Sequence, residues 1–208
     1  MNKTLSRTLP VLCVALAGVL LGTVSVAQDV YQVNYYVNAQ TDAPDATVYI
    51  DNPGANNYTN LCAMIYVFTY DQQMAECCGC NESPNNLNTL SVNSDLTSNP
   101  LTSTIPTTGV IKIVSAAVNA SPCDPTANGG YVATLDMRAW ATHPNIRGGN
   151  PDPRPNPVTE TPFLDASLSA AELAALQSQC AFIEILGSGH GICTCGTGAD
   201  KPAKKGKK

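Results

Sequence analysis

Residues 61–70 read LCAMIYVFTY and are almost wholly apolar. A run of ten residues is long enough for a short helix, but Ile, Val, Tyr and Phe are residues that strands favour. A strand that is apolar on both sides has no face left for water. The run therefore predicts a central strand that is buried on both faces.

Weaker patterns on either side of this run predict further strands. Residues 31–38 alternate between apolar and polar positions, and residues 47–51 and 110–115 are short β-rich stretches bounded by turn residues. Residues 131–140 alternate in the same way. The polar, Asn-rich residues 71–100 predict only one short strand, near 89–92. Several short strands with turns between them predict a mainly β protein, an antiparallel β-sandwich.

One helix is predicted near the C-terminus. Ser169 and Glu172 have the spacing of a capping box. Apolar residues then recur three and four positions apart, which is typical of a helix with one buried face. We predict a helix over 170–179 and a last short strand over 181–186. The expected fold is thus a β-sandwich with one short C-terminal helix, braced by disulfides.

Residues 143–162 carry prolines at alternate positions from 151 to 157. Proline has no N–H to donate to a sheet and favours an extended chain. The segment is therefore predicted to be a loop or linker. It lies within a single β-rich domain that we place at residues 28–200.

Residues 1–27 have the three parts of a secretory signal peptide. Lys3 and Arg7 form the charged start, an apolar stretch follows, and Ser25-Val26-Ala27 has the small-x-small pattern of a cleavage site. We expect a mature chain that begins at Gln28. The predicted location is secreted or periplasmic, with no membrane span left after cleavage.

The predicted mature chain keeps eight of the nine cysteines, because Cys13 lies in the signal segment. An even number in an exported chain predicts disulfides, although eight cysteines allow roughly a hundred connectivities. Adjacent Cys77 and Cys78 point apart, so we expect them to bond different partners. Bonds between the clusters at 77–80 and 193–195 would tie the C-terminal segment to the body. The disulfide candidates are Cys62, Cys77, Cys78, Cys80, Cys123, Cys180, Cys193 and Cys195.

A metal site is the alternative use of these thiols. His190, Cys193, Cys195 and one cysteine of the first cluster offer four ligands for zinc or copper(I). The spacing lacks the CxxC pairs of common zinc sites, and an oxidising compartment favours disulfides. The sequence therefore assigns no metal ligand and no cofactor.

Charge is unevenly distributed along the chain. Residues 28–200 hold 4 basic and 16 acidic residues, and Lys201, Lys204, Lys205, Lys207 and Lys208 follow in a short tail. Such an acidic body excludes nucleic acid as a partner, because phosphate binding requires clustered Lys and Arg. The tail at 201–208 is predicted to be disordered. Its alternative role is a weak contact with an anionic surface.

Two stretches of the chain resemble a known group of proteins. One begins at Leu61-Cys62-Ala63-Met64 and continues through Glu76-Cys77-Cys78-Gly79-Cys80. The other runs from Cys180-Ala181-Phe182-Ile183 to Gly187-Ser188-Gly189-His190-Gly191-Ile192-Cys193. Both are similar to exported, Cys-rich bacterial proteins to which no activity is attached. The resemblance implies export and a shared fold, and it implies no functional residue.

No motif in the chain indicates catalysis. Residues 187–191 read GSGHG, which differs from the GxSxG turn of hydrolases, and a Cys-rich segment follows where a hydrolase has a helix. We therefore assign no catalytic residue. The expected function is that of an exported, non-catalytic structural or binding protein of the cell envelope or extracellular space. The alternative is an extracellular hydrolase that uses carboxylates such as Asp71, Glu76 and Asp136.

Trp140 is the only tryptophan of the chain. In a β-sandwich such a residue is predicted to lie in the core. The alternative is that Trp140, Arg138 and Tyr131 form a face on which a sugar stacks.

Overall fold

The structure is a computed structural model that describes residues 29–37, 45–54, 60–118, 123–126, 132–145 and 157–196. The predicted signal peptide at 1–27 and the Lys-rich tail at 201–208 lie outside the described residues. The elements are β1 (Asp29–Val37), β2 (Thr47–Asn52), β3 (Asn60–Thr69), β4 (Met74–Glu82), β5 (Asn86–Ser91), a π-helical turn (Val92–Leu96), β6 (Thr108–Val118), β7 (Val132–Ala133), β8 (Arg138–Pro144), β9 (Val158–Pro162), β10 (Leu164–Leu168) and α1 (Ala170–Leu186).

The strands form two antiparallel sheets, which confirms the predicted fold class. The large sheet has the order β10-β1-β6-β3-β4, with the short β7 paired to β6. The small sheet has the order β5-β2-β8-β9. Helix α1 packs on the side of the large sheet that faces away from the small sheet, so the fold has three layers.

Strand β3 is the central strand predicted from its sequence. Leu61, Ile65 and the other odd-numbered apolar residues of β3 lie in the core between the two sheets. Met64 and Tyr66 face the opposite way and pack in a second cluster beneath α1. Because one layer covers each face, the strand can be apolar throughout without exposing that surface to water.

Helix α1 begins as predicted and continues further. The Ser169 hydroxyl accepts a hydrogen bond from the backbone N–H of Glu172, which caps the helix. The strand predicted over 181–186 is wrong, because Ile183 continues the buried stripe of Cys180 by one more turn. The misleading apolar residues of this stretch lie on the solvent side, where Ile185 is 77 % exposed.

Residues 71–100 contain two strands where one was predicted. Strand β4 was missed because its inward-facing positions include two glutamates, which make the stretch look polar. A turn with Asn85 at positive φ connects β4 to β5.

The single strand predicted over 131–140 is also wrong. The chain leaves the large sheet after β7, crosses to the small sheet and starts β8 at Arg138. Leu135, in this crossing, is 63 % exposed and does not continue the apolar face.

The predicted loop over 143–162 needs a correction at both ends. Strand β8 extends to Pro144, and β9 pairs with β8 through Val158–Pro162. Strand β9 lies at the edge of the small sheet, where a proline costs no ladder hydrogen bond. Residues 146–156, with three of the six prolines of the segment, lie outside the described part of the chain.

Lys112 connects β6 to the first turn of α1. Its ammonium lies 2.7 Å from Glu172 Oε1 and 5.0 Å and 5.4 Å from the ring centres of Tyr31 and Phe68. The two partners of the ion pair keep 23 % and 34 % exposure, so water weakens the attraction. Among the described residues, no helix is long and apolar enough to cross a membrane.

Replacing Lys112 by Met is expected to lower the free energy of unfolding by about 1 kcal/mol, because the ion pair and the cation–π contacts are lost while the apolar stem is kept. Urea denaturation measures this loss. Glu172→Gln is the matched variant. If the losses of the two variants simply add in the double variant, Lys112 and Glu172 are not coupled and this account is wrong.

Candidate functional site

Four disulfides join the eight cysteines of the described residues. Cys77 and Cys78 bond different partners, as their adjacency predicts. Cys77 fixes α1 to the large sheet through Cys180. The bonds are Cys62–Cys123, Cys77–Cys180, Cys78–Cys193 and Cys80–Cys195. We call the last two the disulfide ladder, because they run side by side from β4 to the C-terminal segment.

The residues of the metal alternative do not form a set of free metal ligands in the described structure. The sulphur atoms of Cys78, Cys80 and Cys195 lie within 4.8 Å of one another. Each of them is bonded to a partner sulphur and is therefore not a thiolate. His190 is exposed, and its Nδ1 lies 3.1 Å from Asn99 Oδ1.

The structure does not bring together the three carboxylates of the hydrolase alternative. Asp71 lies two residues after Thr69, the last residue of β3, at one end of the large sheet. Asp136 contacts Thr134, whose backbone N–H donates to Ser115 O near the other end. Thr69 pairs with Gly109 on β6. With a rise of about 3.3 Å per residue, Gly109 and Ser115 are about 20 Å apart along this strand, so Asp71 and Asp136 lie near different ends of it.

Glu76 is instead a buried residue of the core. It is 0 % exposed on the inner face of β4, and its Oε1 accepts a hydrogen bond of 2.8 Å from the backbone N–H of Asn99. Its Oε2 has no partner among the described residues. Burial raises the pKa of the Glu76 carboxyl to about 7, although the bond from Asn99 opposes this shift.

A second buried carboxyl, Glu82, closes the end of β4. Asn86 Nδ2 and Asn88 Nδ2 donate to its two oxygens at 2.7 Å and 2.8 Å. Asn52 Nδ2 donates to its backbone carbonyl at 2.8 Å. Burial raises the pKa of Glu82, and the hydrogen bonds from the side-chain amides of Asn88 and Asn86 oppose the rise. Both carboxyl oxygens accept a hydrogen bond, so the role of Glu82 is to stabilise the turn between β4 and β5.

Trp140 does not lie in the core, which corrects the first of our two expectations for it. It is partly exposed on the outer face of the small sheet and stacks on Tyr49, with ring centres 5.3 Å apart. Arg138, two residues earlier in β8, lies on the same face of the small sheet. Tyr131 lies outside the described residues, so the three-residue sugar face is not tested as a whole.

A pocket whose described lining includes buried, unpaired polar atoms lies at one end of the sandwich. It forms where the chain crosses from β7 to β8, and it has a volume of about 360 Å³. Strand β6 supplies its floor, and β1 and β10 form one side. We call this the end pocket. Its lining residues are Gln32, Ser115, Thr134, Leu135, Met137, Arg138 and Asp165.

Two polar atoms in the wall of the end pocket are buried without a partner in the described structure. They are Ser115 Oγ and Gln32 Oε1. Ser115 is only 6 % exposed. Gln32 Nε2 donates to Met137 O at 3.2 Å and to Asp165 Oδ1 at 3.3 Å, which fixes the orientation of the amide. A buried polar atom without a hydrogen bond costs about 1–3 kcal/mol, so each of these two atoms requires an explanation.

Sequence reasoning identified Arg138 and missed Gln32, Ser115 and Asp165. Ser115 was missed because it lies in a mainly apolar strand, where a single small serine does not stand out as a site residue. Gln32 was missed because the alternation of β1 indicates that Tyr31 and Val33 face the core. A signal was nonetheless present in the sequence, since Tyr36, a large aromatic residue, shares the face of Gln32, and in the structure it is buried.

Comparisons with protein-family models, curated proteins and solved structures find no match. The site must therefore be interpreted from its own chemistry.

Proposed function

We propose that this chain is an exported, non-catalytic binding protein of the cell envelope or extracellular space, and that its binding site is the end pocket. The signal-peptide features of residues 1–27 and the four disulfides support export.

The observation that carries the binding function is the pair of unpartnered atoms in the end pocket. A protein that only had to fold would gain stability from an apolar residue in place of Ser115. A ligand that bonds to Ser115 Oγ and Gln32 Oε1 repays the cost of burying them. Both atoms are buried, and the residues that carry them line a pocket, which is where polar groups that orient a ligand are found.

The chemistry of the end pocket supports binding rather than catalysis. Asp165 is the only carboxylate and Arg138 the only cation among its lining residues. A hydrolytic site of the carboxylate type requires two facing carboxyl groups. The pocket also has no histidine in its lining to act as a general base beside Ser115.

Thermal denaturation in the presence of a small-molecule extract of the cell envelope tests this function. A ligand that binds only the folded state raises the melting temperature by mass action. We expect the extract to raise the melting temperature of the wild type and to have a smaller effect on Arg138→Gln. Glu160→Gln, which also removes one exposed charge from the small sheet, is the control. An equal response of all three proteins would contradict a site in the end pocket.

Export makes a prediction of its own. The intact mass of the protein recovered from the medium or periplasm should correspond to a chain that begins at Gln28, because Ser25-Val26-Ala27 has the pattern of a cleavage site. Mass spectrometry of the secreted protein measures this directly. An uncleaved chain, or a start many residues away, would remove the support for export.

A further inference from the structure

We propose that the end pocket binds a neutral polyhydroxylated ligand, a single saccharide unit. This inference rests on the proposed binding function and adds the chemical class of the ligand. It follows from the hydrogen-bonding groups that the described residues leave free, from the placement of charge, and from the size of the pocket.

Gln32 requires a ligand that donates a hydrogen bond. Its Nε2 already donates to Met137 O and Asp165 Oδ1, and turning the amide would place Oε1 against these two acceptors. The amide therefore keeps its orientation, and Oε1 remains an acceptor without a donor.

Ser115 adds the complementary requirement. A serine hydroxyl both donates and accepts, and Ser115 Oγ does neither in the described structure. A ligand that carries hydroxyl groups can accept a hydrogen bond from Ser115 and donate one to Gln32. A carboxylate ligand cannot do so, because it has no hydrogen to give to Gln32 Oε1.

The placement of charge favours a neutral ligand over an ionic one. The buried part of the pocket holds Ser115, the partly buried Gln32 and the apolar Met137, which is 2 % exposed, and none of these carries a charge. An ammonium or carboxylate bound beside these residues would lose its hydration, and the nearest opposite charge would be an exposed side chain whose attraction water weakens. The two charged residues, Arg138 and Asp165, are exposed. Together they offer donors and acceptors to adjacent hydroxyls of one ring.

The size of the pocket limits the ligand to one small unit. Its volume of about 360 Å³ is near the lower end of ligand pockets, which begin at about 300 Å³. Leu135, which is exposed, supplies an apolar surface against which the C–H groups of a sugar ring can pack. A ligand with hydroxyls around its edge and C–H groups on its faces matches both the polar and the apolar residues of the lining.

Saturation-transfer NMR and titration calorimetry on the mature protein test the proposal. The probes are glucose, galactose, mannose and N-acetylglucosamine, with glycine and alanine as zwitterions of similar polarity. Ser115→Ala removes the buried hydroxyl. Ser98→Ala is the matched control, since Ser98 lies on the surface outside the pocket and donates only to Ser94 O.

We expect at least one of the sugars to bind, and Ser115→Ala to weaken that binding about fivefold or more while Ser98→Ala leaves it unchanged. We also expect the unliganded Ser115→Ala protein to melt at the same temperature as the wild type or higher, because it loses a buried hydroxyl without a partner. That readout separates lost binding from lost folding. Sugar binding that is unaffected by Ser115→Ala would overturn the site.

The remaining outcomes separate the two proposals. Binding of the amino acids but not the sugars, weakened by Ser115→Ala, would overturn the ligand class and leave the binding function in place. Binding of no probe, together with a response to the envelope extract that Arg138→Gln abolishes, would do the same. Conversion of a bound sugar to a product, visible in the same NMR spectra, would overturn the non-catalytic function.

Discussion

Replacing all four cysteines of the disulfide ladder by serine is expected to lower the free energy of unfolding by about 5 kcal/mol. Domains are stable by only about 5–15 kcal/mol, so this variant should lie near the limit of folding. The ladder joins β4 to the C-terminal segment, through pairs that are each 115 residues apart in sequence.

The size of the effect follows from the loops that the other disulfides leave open. Cys77–Cys180 already holds the chain at residue 180, so a single ladder bond to residue 193 closes a loop of only about 14 residues. That closure contributes about 3 kcal/mol in the chain-entropy model. The second ladder bond closes a smaller loop and contributes about 2 kcal/mol. Removing one ladder bond should therefore cost less than half of what removing both costs.

Denaturant titrations of the Cys78→Ser/Cys193→Ser pair, the Cys80→Ser/Cys195→Ser pair and the fourfold variant measure these differences. Proteolysis should cut the fourfold variant first between residues 187 and 196. In the wild type, thiol titration under denaturing, non-reducing conditions should find almost no free thiol. Four or more free thiols together with bound zinc or copper would refute the disulfide account and support the metal alternative.

Glu76 is expected to lower the stability of the wild type as the pH rises from about 4.5 to about 7. The usual pKa of a glutamate is 4.5, and burial raises that of Glu76 to about 7 in the folded protein. Between these values the unfolded chain releases this proton while the folded protein keeps it. A higher pH therefore favours unfolding by an amount on the order of 3 kcal/mol. Above pH 7 both states are ionised and the loss is complete.

The difference between the wild type and Glu76→Gln isolates this contribution. Glu82, whose pKa is also raised, destabilises with rising pH, and His143, whose pKa is lowered by burial, has the opposite effect. Both groups are present in the two proteins, so they cancel in the difference. We expect the free energy of unfolding of the wild type minus that of the variant to fall by about 3 kcal/mol between pH 4.5 and 7. Denaturation at several pH values measures this difference. A difference that does not change with pH would show that Glu76 ionises normally.

The elements predicted best are those whose local sequence and tertiary surroundings agree. The apolar run at 61–70 requires cover on both faces, and the small sheet and α1 provide it. Ser169 caps α1 through a contact only three residues away. Short-range interactions of this kind depend little on the rest of the fold, and they can be inferred without it.

The elements predicted worst are those in which a polar residue faces inward or an apolar residue faces outward. Strand β4 looked like a loop because Glu76 and Glu82 are buried. Glu76 accepts a hydrogen bond from Asn99, and Glu82 accepts hydrogen bonds from Asn86 and Asn88 across the turn that follows it. The end of α1 looked like a strand because Phe182 and Ile185 are exposed. Periodicity assigns such positions to the wrong environment, because it assumes that polarity follows exposure.

The sequence by itself determined the mainly β class, the start of the helix, the even set of cysteines and the features that predict export. These depend on composition, short-range spacing and chain chemistry. Only the tertiary structure decided which cysteines pair, that Asp71, Glu76 and Asp136 lie apart, and that Gln32, Ser115, Arg138 and Asp165 meet in one pocket. These residues are brought together by strand order and by the crossing from β7 to β8. Strand order is a property of the packed sheets, because many different orders satisfy the same local patterns, and the pocket exists only in the one order that the packing selects.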